Sequence, residues 1–282
     1  MFLLLICLFS GLLIGILGIT YKLSSRDKFD PDGFRSALTW MAAALALAAV
    51  AGTGEPVPDG TVVLLSVLCG GCFFLALIAV MRAMEIGAVS FTWVLINLSI
   101  VIPILVSAVL WSEPVGAAQW AGFGFFALSL VLFGRDLAGG EQKRISLEWL
   151  IAAVVMFLAN GTFLVLFKVI DRHTTAPHTF VTLCTIYITS AALFVIRKRK
   201  VVTPRAGEWK LGAVAAVSML GGQALIMFAL SINTASSLPI IHGASIIVVS
   251  VASAMMFGER FSRYSTGGLL AGLASITFLT LG

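Results

Sequence analysis

Residues 96–134 read INLSIVIPILVSAVLWSEPVGAAQWAGFGFFALSLVLFG, and residues 242–282 read HGASIIVVSVASAMMFGERFSRYSTGGLLAGLASITFLTLG. Sliding the first onto the second by 146 positions superimposes Ser99 on Ser245, Ser107 on Ser253, Glu113 on Glu259 and Gly122 on Gly268. Carried outward without a gap, the same shift brings Lys22 onto Lys168, Gly15 onto Gly161 and apolar spans onto apolar spans. Identities arise by chance in so apolar an alphabet, so the two charged pairs and the shared span pattern carry the argument. The chain reads as a duplication, with residues 1–136 as a first five-helix unit and 147–282 as the second.

Composition identifies the solvent. Hydrophobic residues make up 60% of the 282 positions and charged residues 11%, and the mean hydropathy of +1.07 is far outside the range of a water-soluble domain. A helix needs roughly 20 apolar residues to cross a bilayer core. Ten such spans are expected, near 2–21, 36–53, 61–81, 88–111, 117–134, 147–167, 179–196, 211–231, 236–257 and 264–282. Residues 211–258 carry no charge at all and are too long for one helix. A turn at Asn233, Ser236, Ser237 and Pro239 is expected to divide them. The first span lacks a basic region before it and is followed by Tyr21 and Lys22, so it reads as a retained helix rather than a signal peptide. An odd number of spans per half makes the second unit enter the bilayer from the opposite side, and the halves are expected to be inverted repeats.

Of the 18 Lys and Arg residues, 16 fall in the loops after spans 1, 3, 5, 7 and 9, including the run Arg197 to Lys200; only Lys168 and Arg172 lie on the other face. Short cytoplasmic loops retain Lys and Arg, so both termini are expected outside the cytoplasm, in a cytoplasmic (inner) membrane. The same topology, with attraction to anionic lipid, accounts for the net charge of +5 without a nucleic-acid partner.

The two quoted segments resemble the repeats of the EamA branch of the drug/metabolite transporter superfamily. That repeat ends in a Pro-containing helix, a small residue with Glu, and a Gly-rich closing helix. Pro103, Glu113, Gly122 and Gly124 match in the first half, and Gly258, Glu259, Gly267, Gly268 and Gly272 in the second. The resemblance implies an all-α, ten-helix transporter whose first, third, fourth, sixth, eighth and ninth spans line a cavity, with the fifth and tenth as peripheral supports. It also implies termini in the cytoplasm, from which the charge pattern of this chain departs. The glucose/ribose/rhamnose porters of the same superfamily also open on an apolar helix, which keeps sugar uptake as an alternative.

Polar residues inside a bilayer are costly and mark function more often than soluble ones do. Trp93 and Asn97 are spaced i, i+4 and share one face of span 4. In the 146-residue shift Asn97 falls on Gly243, beside His242, so Asn97 and His242 are expected at similar depth. Asn160 in span 6 follows no polar counterpart, nor does Gln223 in span 8. Each can be a substrate-binding side chain or a polar tie between close helices, and the glycines Gly11, Gly15 and Gly18 of span 1 read most simply as packing. Glu113 and Glu259 are expected on opposite faces, as interfacial anchors or gate contacts to nearby cations. Arg82 and Glu85 read as an i, i+3 interfacial pair.

The CGGC at 69–72 lacks the surroundings of a redox motif, and Cys7, Cys69, Cys72 and Cys184 read as small packing residues. No metal-ligand spacing or phosphate loop occurs, and no cofactor is expected. The one constellation suggestive of an enzyme, Asp171 with His173 and His178, is a short loop without a clear acid/base arrangement, and an accessory scaffold would lack a polar centre. No acidic or basic residue lies deep in a span. The expected cargo is therefore a small neutral or zwitterionic metabolite such as an amino acid, and His242 is the one mid-span group able to carry a coupled proton. The partners expected are this small-molecule substrate and the lipid bilayer, with a homodimer left open.

Overall fold

The computed structural model describes residues 2–25, 29–139, 146–173, 178–232 and 234–281, without the side chains of 137–139, 171, 227–232 and 234–239. In chain order the helices are α1 (Phe2–Leu23), α2 (Pro31–Thr53), α3 (Gly60–Ile86), α4 (Val89–Leu98), α5 (Val101–Leu110), α6 (Ala117–Gly139), α7 (Leu147–His173), α8 (Thr179–Lys198), α9 (Ala206–Ile232), α10 (Thr234–Phe257) and α11 (Arg263–Thr280). With α4 and α5 taken together, nine of these are long and apolar enough to cross a bilayer among the described residues. The protein is a multi-pass helical membrane protein. Of the turn expected at Asn233, Ser236, Ser237 and Pro239, Asn233 lies outside the described residues, and the other three positions fall not in a turn but within α10, which begins at Thr234.

Helix ends follow local chemistry that hydropathy does not register. α2 begins five residues before the expected apolar span because Asp30 accepts the Asp32 N–H as N-cap and Pro31 occupies the first helical position. At α11 the Ser262 hydroxyl accepts from the Ser265 N–H while the Ser265 hydroxyl returns a bond to the Ser262 N–H, a reciprocal cap. Ser112 and Gly258 both have positive φ, 53° and 65°, and each precedes a Glu whose N–H bonds back to a serine carbonyl: Glu113 to Ser107 at 3.4 Å and Glu259 to Ser253 at 3.1 Å.

Span 4, expected as one helix, is two. Its ladder breaks at Ser99 and Ile100, midway along residues 89–110. Pro103 has no N–H to give the Ser99 carbonyl; the Ile102 N–H takes that carbonyl instead, at 3.0 Å. The Ser99 hydroxyl meanwhile donates to the Ile96 carbonyl at 2.6 Å, so both sides of the break find partners inside the protein, as a membrane interior requires.

Packing is close wherever glycine allows it. α1 lies against α9 and α10, α3 against α7 and α8, and α2 touches both α8 and α9. α6 and α11 form the most extensive pair, tied by two reciprocal bonds: Ser129 Oγ donates to the Gly268 carbonyl at 2.8 Å and Ser275 Oγ to the Gly122 carbonyl at 2.9 Å. On α1, a Cβ at Gly11 would stand 2.6 Å from both the Ile241 carbonyl oxygen and the Ala244 methyl carbon, and one at Gly15 would stand 2.6 Å from Val248. Gly11→Ala is therefore expected to lower stability by about 1 to 2 kcal/mol, because the overpacking cost exceeds the gain in helix propensity of about 1 kcal/mol. Gly124→Ala on α6, where nothing lies within 4 Å, should hold or raise the unfolding temperature in detergent; equal effects of the two substitutions would refute this account of the α1–α10 seam.

The CGGC stretch is a packing feature here. All four cysteines are free thiols, and Gly70 lets Ile186 and Thr189 of α8 approach α3 closely.

Candidate functional site

Several uncharged polar side chains from different helices meet at the break between α4 and α5. Asn97, one residue before the end of α4, is buried at 8% exposure. Its Nδ2 donates to the Trp93 carbonyl one turn back, at 2.7 Å. Its Oδ1 faces α10, where His242 Nδ1 lies 2.7 Å away. Ser245, one turn further along α10, donates to the His242 carbonyl at 2.9 Å and stands 3.5 Å from Asn97 Oδ1. From the other side, α7 sends Asn160, whose Nδ2 donates to Ser99 Oγ at 2.7 Å and to the Ile96 carbonyl at 3.3 Å.

Four of the five residues singled out in the sequence thus lie within residues 93–99 or hydrogen-bond to them, Trp93 through its backbone carbonyl. Trp93, Asn97, Asn160 and His242 come from α4, α7 and α10, joined by Ser99 and Ser245. Trp93 is 4% exposed, with its indole against Gly18 of α1 and its ring edge-on to Tyr21 at 6.4 Å. Its Nε1 has no hydrogen-bond partner among the described residues. Gln223 is the exception. It sits half-buried on α9 and hydrogen-bonds to none of the others among the described residues; the neighbouring Gly222 packs on Ile14 and accepts from Ser10 Oγ at 3.0 Å. The two serines were visible in the sequence only as repeat markers. Their signal was there: each sits three residues after a carbonyl it binds, at matching positions of the two halves.

Charge is confined to the helix ends. After α5, Glu113 accepts from Lys168 Nζ at 2.7 Å and lies 3.4 Å from Arg172. Lys168 also donates to Ser107 Oγ at 2.7 Å, and both cations stand over the Trp111 ring, at 5.2 and 4.9 Å. The hydrogen bond from Lys168, with the charges of Lys168 and Arg172, holds the Glu113 carboxyl below the usual carboxylate range. Glu259, past α10, is held differently: it accepts from Ser90 Oγ at 2.6 Å and from the Ser90 N–H at 3.2 Å, while Lys22 donates to the Met84 carbonyl at 2.5 Å. Arg82 and Glu85 do pair, at 2.8 Å, but Arg82 also binds Glu148 of α7 at 2.5 Å, so the contact joins two helices.

Two carboxylates that hydropathy could not place are helix clamps. Glu55 accepts from the N–H groups of Phe180 and Val181 at the start of α8, each at 2.9 Å. Glu208, only 1% exposed, accepts from the Asp30 N–H ahead of α2 at 2.8 Å and from the Arg205 N–H ahead of α9 at 2.7 Å. In the loop suggestive of an enzyme, His173 lies 3.3 Å from Asp59, and hydrogen bonds from the Val62 N–H above all hold the Asp59 carboxyl below its usual range. The Asp171 side chain lies outside the described residues.

No family model and no curated protein matches the sequence. The fold does recur: a solved crystal structure, described only as that of a protein, is similar to this chain with a TM-score of 0.61 over 98% of this chain and 96% of that one, at 19% identity. At that identity the likeness concerns the fold alone, and it places this multi-pass helical arrangement among architectures seen by experiment.

Proposed function

We propose that the protein is a secondary transporter that moves a small neutral or zwitterionic metabolite, such as an amino acid, across a cytoplasmic membrane by alternating access. The observation that carries the reading is the uncharged polar cluster at a mid-span helix break, reached by side chains from both halves of the chain. Transporters place such breaks at their binding sites because a broken helix frees backbone and side-chain polar groups at the bilayer midplane.

The inverted repeat belongs to the same proposal. Shifted by 146, α3 at 60–86 falls on α9 at 206–232, and Ser129 and Gly122 fall on Ser275 and Gly268, so the two bonds between α6 and α11 exchange. Contacts behave alike: α1 with α9 exchanges for α7 with α3, and α2, α4 and α6 each touch their own counterparts α8, α10 and α11. Such self-pairing is what a two-fold axis in the membrane plane produces. With the quoted motifs, it supports an EamA-type member of the drug/metabolite superfamily, with both termini outside the cytoplasm and Trp93, Asn97, Asn160, Gln223 and His242 facing substrate. A sugar porter is the second reading, favoured by a cluster of hydroxyl, amide and imidazole groups without a formal counter-charge.

Uptake into proteoliposomes tests this directly. A panel of labelled amino acids, sugars and nucleosides should include at least one solute carried by the wild type, with Asn97→Leu and Asn160→Leu each at least about tenfold slower, the weight of one lost polar contact or more. If no neutral solute moves, with or without a proton gradient, the proposal is wrong.

A further inference from the structure

The bonds around Asn97 fix by geometry which ring nitrogen of His242 faces an acceptor. Because Asn97 Nδ2 donates to the Trp93 carbonyl, the other edge of the amide, the one beside His242, is its oxygen. An amide oxygen only accepts. The imidazole nitrogen 2.7 Å from it, Nδ1, therefore bears the proton. In a neutral imidazole the remaining nitrogen is then an acceptor, and Nε2 has no hydrogen-bond partner among the described residues. One turn before Asn97, on the same face of α4, the Trp93 indole offers the opposite polarity: an N–H, donor only, buried and without a partner among the described residues. Of the two, the Trp93 N–H is the buried one, and buried polar groups are seldom left without a partner; His242 Nε2, like Asn160 Oδ1, is an acceptor not taken up by a bond to another described residue.

We infer that the cargo is held at two poles: an acceptor on the cargo takes the Trp93 N–H, and a donor on the same molecule binds His242 Nε2. The inference rests on the transport reading and narrows its substrate class. A solute bearing both a donor and an acceptor while neutral overall, either a zwitterion or a polyol, satisfies both poles; a simple amine or a simple carboxylate satisfies one. Asn97 is then a positioning residue, which acts on the cargo through the tautomer it imposes on His242. In this arrangement His242 binds the cargo through Nε2 as the neutral imidazole.

Two measurements test this. The chain has three histidines, so nitrogen NMR of histidine-labelled protein in nanodiscs, with His242→Gln to assign the signal, reads the tautomer. The wild type should show Nδ1–H, and Asn97→Leu should lose that preference; an Nε2–H form in the wild type overturns the inference. In proteoliposomes the probes are L-leucine, its amine-only analogue 3-methylbutylamine, its acid-only analogue 4-methylpentanoate, and D-glucose. L-leucine or D-glucose should be carried at least tenfold faster than either single-pole probe. Trp93→Phe, which keeps the ring and removes the N–H, should slow that probe about tenfold while leaving the unfolding temperature near that of the wild type. Transport by the wild type that Trp93→Phe does not slow, or equal transport of the single-pole probes, overturns the inference and leaves the transport reading standing. If none of the four probes moves, the substrate class narrowed here is wrong, whatever the tautomer; movement of another neutral solute in the wider panel would still uphold transport.

Discussion

Alanine at Glu208 is expected to destabilise the folded protein by about 3 kcal/mol, since two part-buried N–H groups lose a charged acceptor at once, and a hydrogen bond to a charged group contributes about 1.5 to 3 kcal/mol. The carboxylate sits at the start of α9 and closes half of a capping box on the Arg205 N–H, while its other oxygen reaches the Asp30 N–H ahead of α2. It thus pins two helix starts to one another, where a negative charge also suits both helix dipoles. Gly33 makes room for it: a Cβ there would lie 2.0 Å from Glu208 Oε2. Gly33→Ala should therefore expel the carboxylate and cost about as much as deleting it, despite the propensity gain of about 1 kcal/mol. The double substitution should be no worse than Glu208→Ala alone, because the methyl then meets no carboxylate. Chemical unfolding in detergent of both single variants and the pair measures the coupling. Additive losses would show that Gly33 and Glu208 act independently and would sink this account.

That clamp also marks where sequence reasoning stops. Hydropathy placed the eighth span from 211, because Glu208 and Lys210 interrupt the apolar run; the helix in fact starts at Ala206. Nothing in a linear pattern shows that a carboxylate at 208 bonds a backbone N–H at 30. The span pattern itself was readable, since each crossing needs its own apolar stretch and local composition decides it. The start of α2 was readable too, in the Asp30–Pro31 pair, but only by cap chemistry and not by counting apolar residues. At the polar centre, the i, i+4 spacing of Trp93 and Asn97 put them on one face, and the 146-residue shift put His242 beside the position of Asn97. The hydrogen bond between Asn97 and His242 agrees with that placement. The shift could not give the break at Ser99, because it depends on a missing N–H at Pro103 and a serine turned back on Ile96, and the partner stretch in α10 has neither proline nor break there. Gln223 shows the converse limit: an amide in an apolar helix announces a polar need, while the neighbours that meet it depend on how α9 rotates against α1.

The break makes α5 a separate ten-residue rod, and α7 holds it at both ends. Asn160 grips Ser99 and the Ile96 carbonyl at the break, Gly161 admits Ile102 one turn on, and Lys168 joins Ser107 and Glu113 at the far end. α4 packs instead on α10, α11 and α3 as well as on α7. A hinge at Ser99 and Ile100 with a charged latch some ten residues away is the arrangement in which the far end can swing while the near end stays with the polar cluster. Lys168→Glu should undo the latch: it removes the donor to Ser107 and sets a second carboxylate against Glu113, at a cost of about 1 to 2 kcal/mol at this partly exposed site, roughly tenfold in the ratio of latched to unlatched protein. Spin labels on the exposed positions Val109 of α5 and Leu158 of α7 should give one narrow distance in the wild type, a broad distribution in Lys168→Glu, and a narrow one again in Lys168→Glu with Glu113→Lys. Acidification offers an independent check. Because Lys168 keeps the Glu113 carboxyl below its ordinary range, the ion pair is complete above that range and is lost only as pH falls through the lowered value, so the distance should stay narrow at about pH 5, near the ordinary carboxylate range. A narrow distribution in Lys168→Glu would show that α5 is held by its apolar face alone and that the ion pair is incidental, whereas broadening of the wild type already at mildly acidic pH would show that Lys168 does not hold the Glu113 carboxyl below its ordinary range.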